Sequence, residues 1–316
     1  MTSPFEWVRH EVEEGTMPVG VLGIATSTGI EEIAAFGSDE SRPAKPDDRF
    51  ALFSITKPLV ALATMSLVER GELGLATRLS EVAPARVEAP TLEQLLGHRS
   101  GLTDPPLDTA GSREILASVD QSFVPGTMVQ YCNTGYLGVE ALVNAASGRS
   151  LESRLAELGD ASGPVGLTFD ADGTRGIHGA WEMGLDYAAM KRERHPAAGL
   201  FGTASDLLRI GSALLRTLRS DSREIVTRST LDEMTRDRTS ALPRFAPIAG
   251  DARQWGLGFG LQRGQSFGHA GWSGTQWWIH PDLDACLVLM TNRLGLVTAG
   301  VRFDDLTAAF HESRSR

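Results

Sequence analysis

The chain has 316 residues, of which 41% are hydrophobic and 22% charged, and its formal net charge is −10. This length and balance exclude a stapled mini-domain and a disordered tract, and predict an ordinary globular body of one large domain or two interleaved lobes. The positive charges are scattered, not gathered into a stripe that could neutralise a phosphate backbone, so no nucleic-acid partner is expected.

The first fifteen residues carry Glu6, Glu11, Glu13 and Glu14, where an export signal needs a basic start and an unbroken apolar run. The expectation is a cytoplasmic protein, unless a leading segment has been removed. No stretch approaches the roughly 20 apolar residues of a membrane span, so none is predicted. Residues 7–14 look helical. Residues 19–25 and 31–36 are β-prone runs on either side of Ser27-Thr28-Gly29, which predicts a hairpin.

From 54 to 70 the chain is apolar almost all round, with Ile55, Leu59, Val60, Leu62, Met65, Leu67 and Val68, until Gly71 stops it as a residue after a helix C-cap does. A helix apolar on every side is a buried one. Residues 91–97 and 113–119 read as short helices, and Asn133 as the N-cap of a helix running to Gly148. Loops bearing Pro and Gly over 160–178 and 242–251 interrupt this helical middle.

Residues 255–262, 266–270, 275–280 and 285–291 are short β-type runs separated by turns such as Pro281-Asp282, and 304–312 closes the chain as a helix. Strands at both ends with helices between predict an α+β fold, in which the two ends pair into one antiparallel sheet flanked by helices. Residues 1–85 together with 245–316 are expected to form that lobe, and 86–244 a mostly helical one. A cleft between lobes is where ligand sites tend to lie. There is no internal repeat.

Cys132 and Cys286 lie in unrelated apolar contexts without CxxC spacing, which predicts small core residues and neither a disulfide nor a zinc site. The seven histidines show no metal spacing, so no metal is expected. Gly271-Trp272-Ser273-Gly274-Thr275 lacks the last glycine of a G-x-S-x-G elbow, and Gly256-Leu257-Gly258-Phe259-Gly260 opens no helix, as a dinucleotide loop must.

Ser54-Ile55-Thr56-Lys57 opens the most hydrophobic helix of the chain. In isolation such a pair also reads as an N-cap beside a snorkelling surface lysine. At the start of a buried helix, backbone N–H groups favour developing negative charge at Ser54, and a spacing of three sets Lys57 beside it. The chain has only three lysines, Lys45, Lys57 and Lys191, among 30 basic residues. Keeping one here suggests a task closed to arginine: a desolvated amine can lose its proton and act as a general base.

A Pro125-Gly126 turn leads into an extended segment that presents Tyr131 and Asn133 at the mouth of a helix. A phenol can relay a proton and a carboxamide can orient both a lysine and a substrate carbonyl; the plainer reading is a core tyrosine and a helix cap. Phe267-Gly268-His269-Ala270-Gly271-Trp272 forms a strand that could border the cleft. His269 would face Ser54, Gly271 would admit close backbone approach, and the Trp272 N–H would join that of Ser54 as an oxyanion hole, although a lone strand histidine is often structural.

This ordered set resembles the serine β-lactamase and penicillin-binding protein superfamily, in particular its class C-like branch with family VIII carboxylesterases and D-aminopeptidases. Ser54-x-x-Lys57 is similar to its first motif, Tyr131-x-Asn133 to its second, and His269-Ala270-Gly271 to a third that is often Lys-Thr-Gly and in esterase-like members His-x-Gly. The segments 95–102 and 198–207, His280-Pro281 and Thr291-Asn292-Arg293 are also similar, so the resemblance covers most of the chain from Phe50 to Arg293.

The resemblance implies a β-lactamase/transpeptidase-like fold and a site without a cofactor. It implies that Ser54 is acylated, that Lys57 and Tyr131 share the proton work, that Asn133 positions Lys57 and the substrate, and that Trp272 supplies the second oxyanion donor. His269 in place of lysine removes a fixed charge suited to a substrate carboxylate. The expected activity is therefore hydrolysis of small carboxylic esters, with β-lactam or D-amino-acid peptide and amide cleavage second and acyl transfer third. The rival of another class is a non-catalytic binding protein with this fold. Of five tryptophans that could line an acyl pocket, Trp181, Trp255, Trp272, Trp277 and Trp278, only Trp272 is expected near the site. Oligomeric state is left open.

Overall fold

Strand β1 (Val19–Thr26) is buried along its whole length, because its side chains divide between two cores. Val19, Val21 and Ala25 enter the larger core on one face, and Leu22 and Ile24 enter another on the opposite face. A strand covered on both sides has no polar side to show, so residues 19–25 read as an apolar run and not as an alternation. The computed structural model describes residues 3–39, 42–83, 88–163, 165–220, 222–245, 254–262 and 265–315.

The other strands are β2 (Gly29–Asp39), β3 (Arg42–Pro43), β4 (Phe50–Ala51), β5 (Phe201–Gly202), β6 (Gln254–Trp255), β7 (Gly260–Leu261), β8 (Phe267–Ala270), β9 (Gln276–His280) and β10 (Ala285–Thr291). Eight strands, β1 among them, form one sheet in the order β3-β2-β1-β10-β9-β8-β7-β6, and β4 pairs with β5 apart from it. The predicted union of the chain ends is present: β1 and β10 run antiparallel, with Gly20 opposite Thr291 and Ala25 opposite Cys286. The hairpin over 19–36 is present as well, with β2 folding back on β1.

The run 255–262 is not the single strand expected from its composition. It is a hairpin of β6 and β7, in which the Gly256 N–H donates to the Phe259 carbonyl at 2.9 Å and Gly258 takes a φ of +83°. The turn is tied down by the Leu257 N–H to the Met234 carbonyl and the Gly258 N–H to that of Leu96. Residues 246–251 of the expected 242–251 loop, and 164 of the 160–178 loop, lie outside the described residues.

The helices are α1 (Pro4–Glu13), α2 (Thr56–Glu69), α3 (Leu92–Leu96), α4 (Ser112–Ile115), α5 (Thr134–Ser147), α6 (Leu151–Ser162), α7 (Tyr187–Glu193), α8 (Ala204–Ser220), α9 (Arg228–Met234) and α10 (Phe303–Arg314). α1 and α10 pack together on one face of the sheet through Trp7, Val8, Leu306 and Phe310. On the other face α8 lies across β1 and β10, while α2 packs against α5 and α6. This is the α+β architecture, an antiparallel sheet with helices on both faces and a further helical layer. The helix read over 113–119 shortens to α4, beyond which the chain continues in turn hydrogen bonds such as the Ser118 N–H to the Ile115 carbonyl.

Candidate active site

Two backbone segments are clamped together to place Ser54. β4 pairs with β5, and one residue further the Leu52 N–H donates to the Leu200 carbonyl at 2.9 Å. The chain then turns sharply at Phe53, whose φ of +45° is left-handed, a conformation costing a non-glycine residue about 1–3 kcal/mol. Burial of its ring against Tyr187 and Trp272 holds it there. Ser54 accordingly lies in a 3-10 turn, Phe53–Ile55, that feeds α2, and not on the first turn of α2 as the apolar run suggested.

Lys57 occupies the first turn of α2 and has no solvent exposure. Its Nζ lies 2.7 Å from Asn133 Oδ1, 3.1 Å from the Ala197 carbonyl and 3.3 Å from Ser54 Oγ. The amine also stands over the Tyr131 ring, 4.6 Å from its centroid. Burial pushes the lysine down to about 7, against the opposing pull of Asp104 and Cys132. The Tyr131 hydroxyl donates to Ser54 Oγ at 2.7 Å. Its ring is held by His98, with centroids 4.5 Å apart, and by Trp255, at 5.3 Å.

Asn133 stands at the N-cap position of α5, yet its side chain caps nothing. Its backbone is already helical, and its amide instead spans Lys57 on one side and Asp104 on the other, with Nδ2 2.8 Å from Asp104 Oδ2. The capping falls to Asp104, whose Oδ1 accepts the backbone N–H groups of Asn133 and Thr134 at 2.8 Å each. Neither Asp104 nor the Ala197 carbonyl was visible from the sequence. Asp104 closes the segment after Gly101-Leu102 without a repeating pattern around it, and a backbone carbonyl leaves no side-chain signal.

His269 is buried, its Nδ1–H donating to the Ala270 carbonyl at 2.7 Å. Its ring packs on Tyr131 and Trp255, with centroids at 6.0 and 5.2 Å. Trp255 therefore belongs to the site, contrary to the expectation that Trp272 alone would. Trp277 is in the core, Trp278 is buried with its Nε1–H on Gln276 Oε1, and Trp181 is 88% exposed, so the five do not form one pocket.

A Cβ on Gly271 would stand 1.9 Å from Thr275 Oγ1 and 2.6 Å from the Leu52 carbonyl. This glycine lets the end of β8 press against the backbone two residues ahead of Ser54. Trp272 follows, 40% exposed, with its ring edge-on to that of Phe53 at 6.1 Å. Among the described residues, no group of three or more His, Cys, Asp or Glu side chains is arranged to hold a metal ion.

A family model described as Beta-lactamase matches residues 6–309. The chain belongs to the β-lactamase family. Penicillin-binding protein 4 of Amycolatopsis lactamdurans is 27% identical over 299 residues, covering 84% of this chain and 72% of that protein. Esterase EstB of Burkholderia gladioli is 35% identical over 159 residues, but this match covers only 41% of the chain and 40% of the esterase. In three dimensions EstCE1, titled a hydrolase with promiscuous acyltransferase activity, superimposes with a TM-score of 0.74 at 19% identity, over 92% of this chain and 93% of that one, which establishes the shared fold. The β-lactamase family is one of serine hydrolases. Among the described residues no helix is long and apolar enough to cross a membrane.

Proposed function

We propose that the protein is a serine hydrolase that forms an acyl-enzyme on Ser54 and acts on small carboxylic esters. The observation that carries this reading is the geometry at Lys57. Two of its three neighbours, Asn133 Oδ1 and the Ala197 carbonyl, are acceptors only, so each requires an N–H. A neutral amine has two N–H groups and one lone pair. With both N–H groups spoken for, the neutral amine has its lone pair left for the proton of Ser54 Oγ, 3.3 Å away, as a general base requires.

Ser54 Oγ attacks the ester carbonyl carbon while its proton passes to Lys57 Nζ, and the carbonyl electron pair moves onto oxygen, towards the Ser54 and Trp272 N–H groups. Collapse of this intermediate breaks the bond to the leaving alkoxide, which takes the proton of the Tyr131 hydroxyl; Tyr131 is in turn reprotonated from Lys57. Water then attacks the acyl-enzyme, with the same groups moving its proton.

Two observations support esters as substrate: the third motif carries His269 and not a fixed cation, and the most identical of the named relatives is an esterase. The match to a penicillin-binding protein supports β-lactam or D-amino-acid peptide cleavage as the second reading. Acyl transfer to an alcohol or amine uses the same intermediate. Mass spectrometry after exposure to a fluorophosphonate tests the enzyme reading. A single adduct on Ser54 is expected, and its absence in folded protein favours a non-catalytic binding protein. Turnover of p-nitrophenyl acetate against that of a chromogenic cephalosporin tests the substrate, and faster lactam turnover reverses the order of the two readings.

A further inference from the structure

Asp104 receives more of the local hydrogen bonding than any residue named by the sequence motifs. Its Oδ1 accepts from the Asn133 and Thr134 backbone N–H groups and from Thr134 Oγ1 at 2.9 Å, and its Oδ2 accepts from Asn133 Nδ2. A carboxylate is acceptor-only, so it dictates which end of the Asn133 amide faces it: the NH2 must, and the oxygen is thereby turned to Lys57. With the amide reversed, an N–H donor would meet the amine, and an oxygen would meet the carboxylate.

We propose that Asp104 is a positioning residue of this site, fixing the Asn133 amide with its oxygen towards Lys57 and supplying the negative charge that the buried amine faces. The inference rests on the serine hydrolase reading only for its catalytic consequence. The titratable groups around Lys57 come from several elements: Cys132 and Asp104 from the segments before α5, Tyr131 beside Ser54, Tyr136 on α5 and His195 from the loop before β5. Burial pushes the Cys132 thiol and the Tyr136 phenol well up, which leaves both uncharged. Burial, with Lys57 and then Arg113, drives His195 down to about 3, so it is uncharged near neutrality. Of Cys132, Tyr136, His195 and Asp104, the last is thus the one that brings charge to Lys57 in the working range.

Because the chain contains only three lysines, Lys45, Lys57 and Lys191, lysine labelled with 13C at Cε gives three signals, and Lys57 can be titrated by NMR without reference to activity. The parent, Asp104→Asn and Asp104→Glu are compared in that titration and in the pH profile of kcat/KM for p-nitrophenyl acetate. In Asp104→Asn the Lys57 midpoint falls by about one pH unit, the acid limb of kcat/KM moves with it, and kcat/KM on the plateau drops at least about tenfold. Asp104→Glu keeps the charge on a longer arm, so its midpoint stays near that of the parent while the plateau drops. A merely structural carboxylate lowers the melting temperature and leaves the midpoint in place. A folded Asp104→Asn variant with the parent midpoint, or an Asp104→Glu variant with the parent plateau, overturns the proposal. A parent that titrates as described but hydrolyses no ester overturns the hydrolase reading and leaves the positioning result standing.

Discussion

The Tyr131 hydroxyl lies 2.7 Å from Ser54 Oγ, closer than Lys57 Nζ at 3.3 Å. Two proton-bearing groups therefore converge on one oxygen, and the phenol is the nearer. Tyr131→Phe removes that oxygen and keeps the ring that packs on His98 and Trp255. We expect kcat/KM for p-nitrophenyl acetate to fall by about 10² to 10⁴, the range of general acid–base catalysis, with the melting temperature nearly unchanged. Steady-state kinetics and calorimetry on the same preparation check this. Loss within threefold would mean that Lys57 works alone.

Lys57 makes a prediction about pH that has two sides. As the base it must be neutral, so acylation should rise with pH through a midpoint near 7, where burial has brought the amine from its ordinary 10.5. The same burial acts on stability. Between pH 7 and 10.5 the unfolded chain holds a proton at this lysine that the folded chain does not, so the folded state gains stability as pH rises across that window and loses it as pH falls. Lys57→Met lacks the titration. The unfolding free energy of the parent minus that of the variant, measured in urea, should be larger at pH 10 than at pH 7 by about 3 kcal/mol. A difference that is flat with pH would show an amine with an ordinary affinity for its proton.

What the sequence revealed and what it hid at this site divide along physical lines. Apolar patterning exposed the sheet at both chain ends and the buried helix behind Ser54, because burial acts on every residue of such a segment and leaves a repeated signal. Side chains with scarce chemistry were legible for a related reason: a lysine in an arginine-rich chain stands out. The hairpin of β6 and β7 was misread as one strand because two glycines broke a run that hydrophobicity alone would continue. Asp104 was hidden because an acidic loop residue carries no period, and Trp255 because its neighbours Tyr131 and His269 come from other elements. Asn133 was legible by position and open to two readings, a helix cap and a carboxamide turned to Lys57; its side chain makes no cap bond and its Oδ1 meets Lys57 Nζ.

His269 is the point at which the substrate reading can be pushed. The histidine is buried, its Nδ1–H donates to the Ala270 carbonyl, and the position carries an imidazole where a lysine would carry an amine. His269→Lys puts on the third motif a longer side chain whose amine, where it extends to water, carries an ammonium that can partner a substrate carboxylate. The ratio of cephalosporin turnover to p-nitrophenyl acetate turnover should rise by about tenfold or more, the equivalent of roughly 1.4 kcal/mol in transition-state binding. Parallel assays on the parent and the variant measure it. An unchanged ratio would detach the ester preference from this residue and return the choice of substrate to the loops.

Gly271 tests whether the backbone at the end of β8 is part of the catalytic apparatus. An alanine there places a methyl group against Thr275 Oγ1, which can rotate away, and against the Leu52 carbonyl, which cannot, since Leu52 is fixed by its N–H bond to Leu200. The turn carrying Trp272 must therefore move off the segment that carries Ser54, and the two N–H groups proposed to hold the oxyanion separate. The expected cost of Gly271→Ala is about 10² in kcat, comparable with the loss of one oxyanion donor, together with about 1–3 kcal/mol of stability from overpacking. KM should change far less than kcat, because the donors act on charge that develops only in the transition state. A stable variant in which KM rises and kcat holds would instead assign Gly271 to substrate binding and place the oxyanion donors elsewhere.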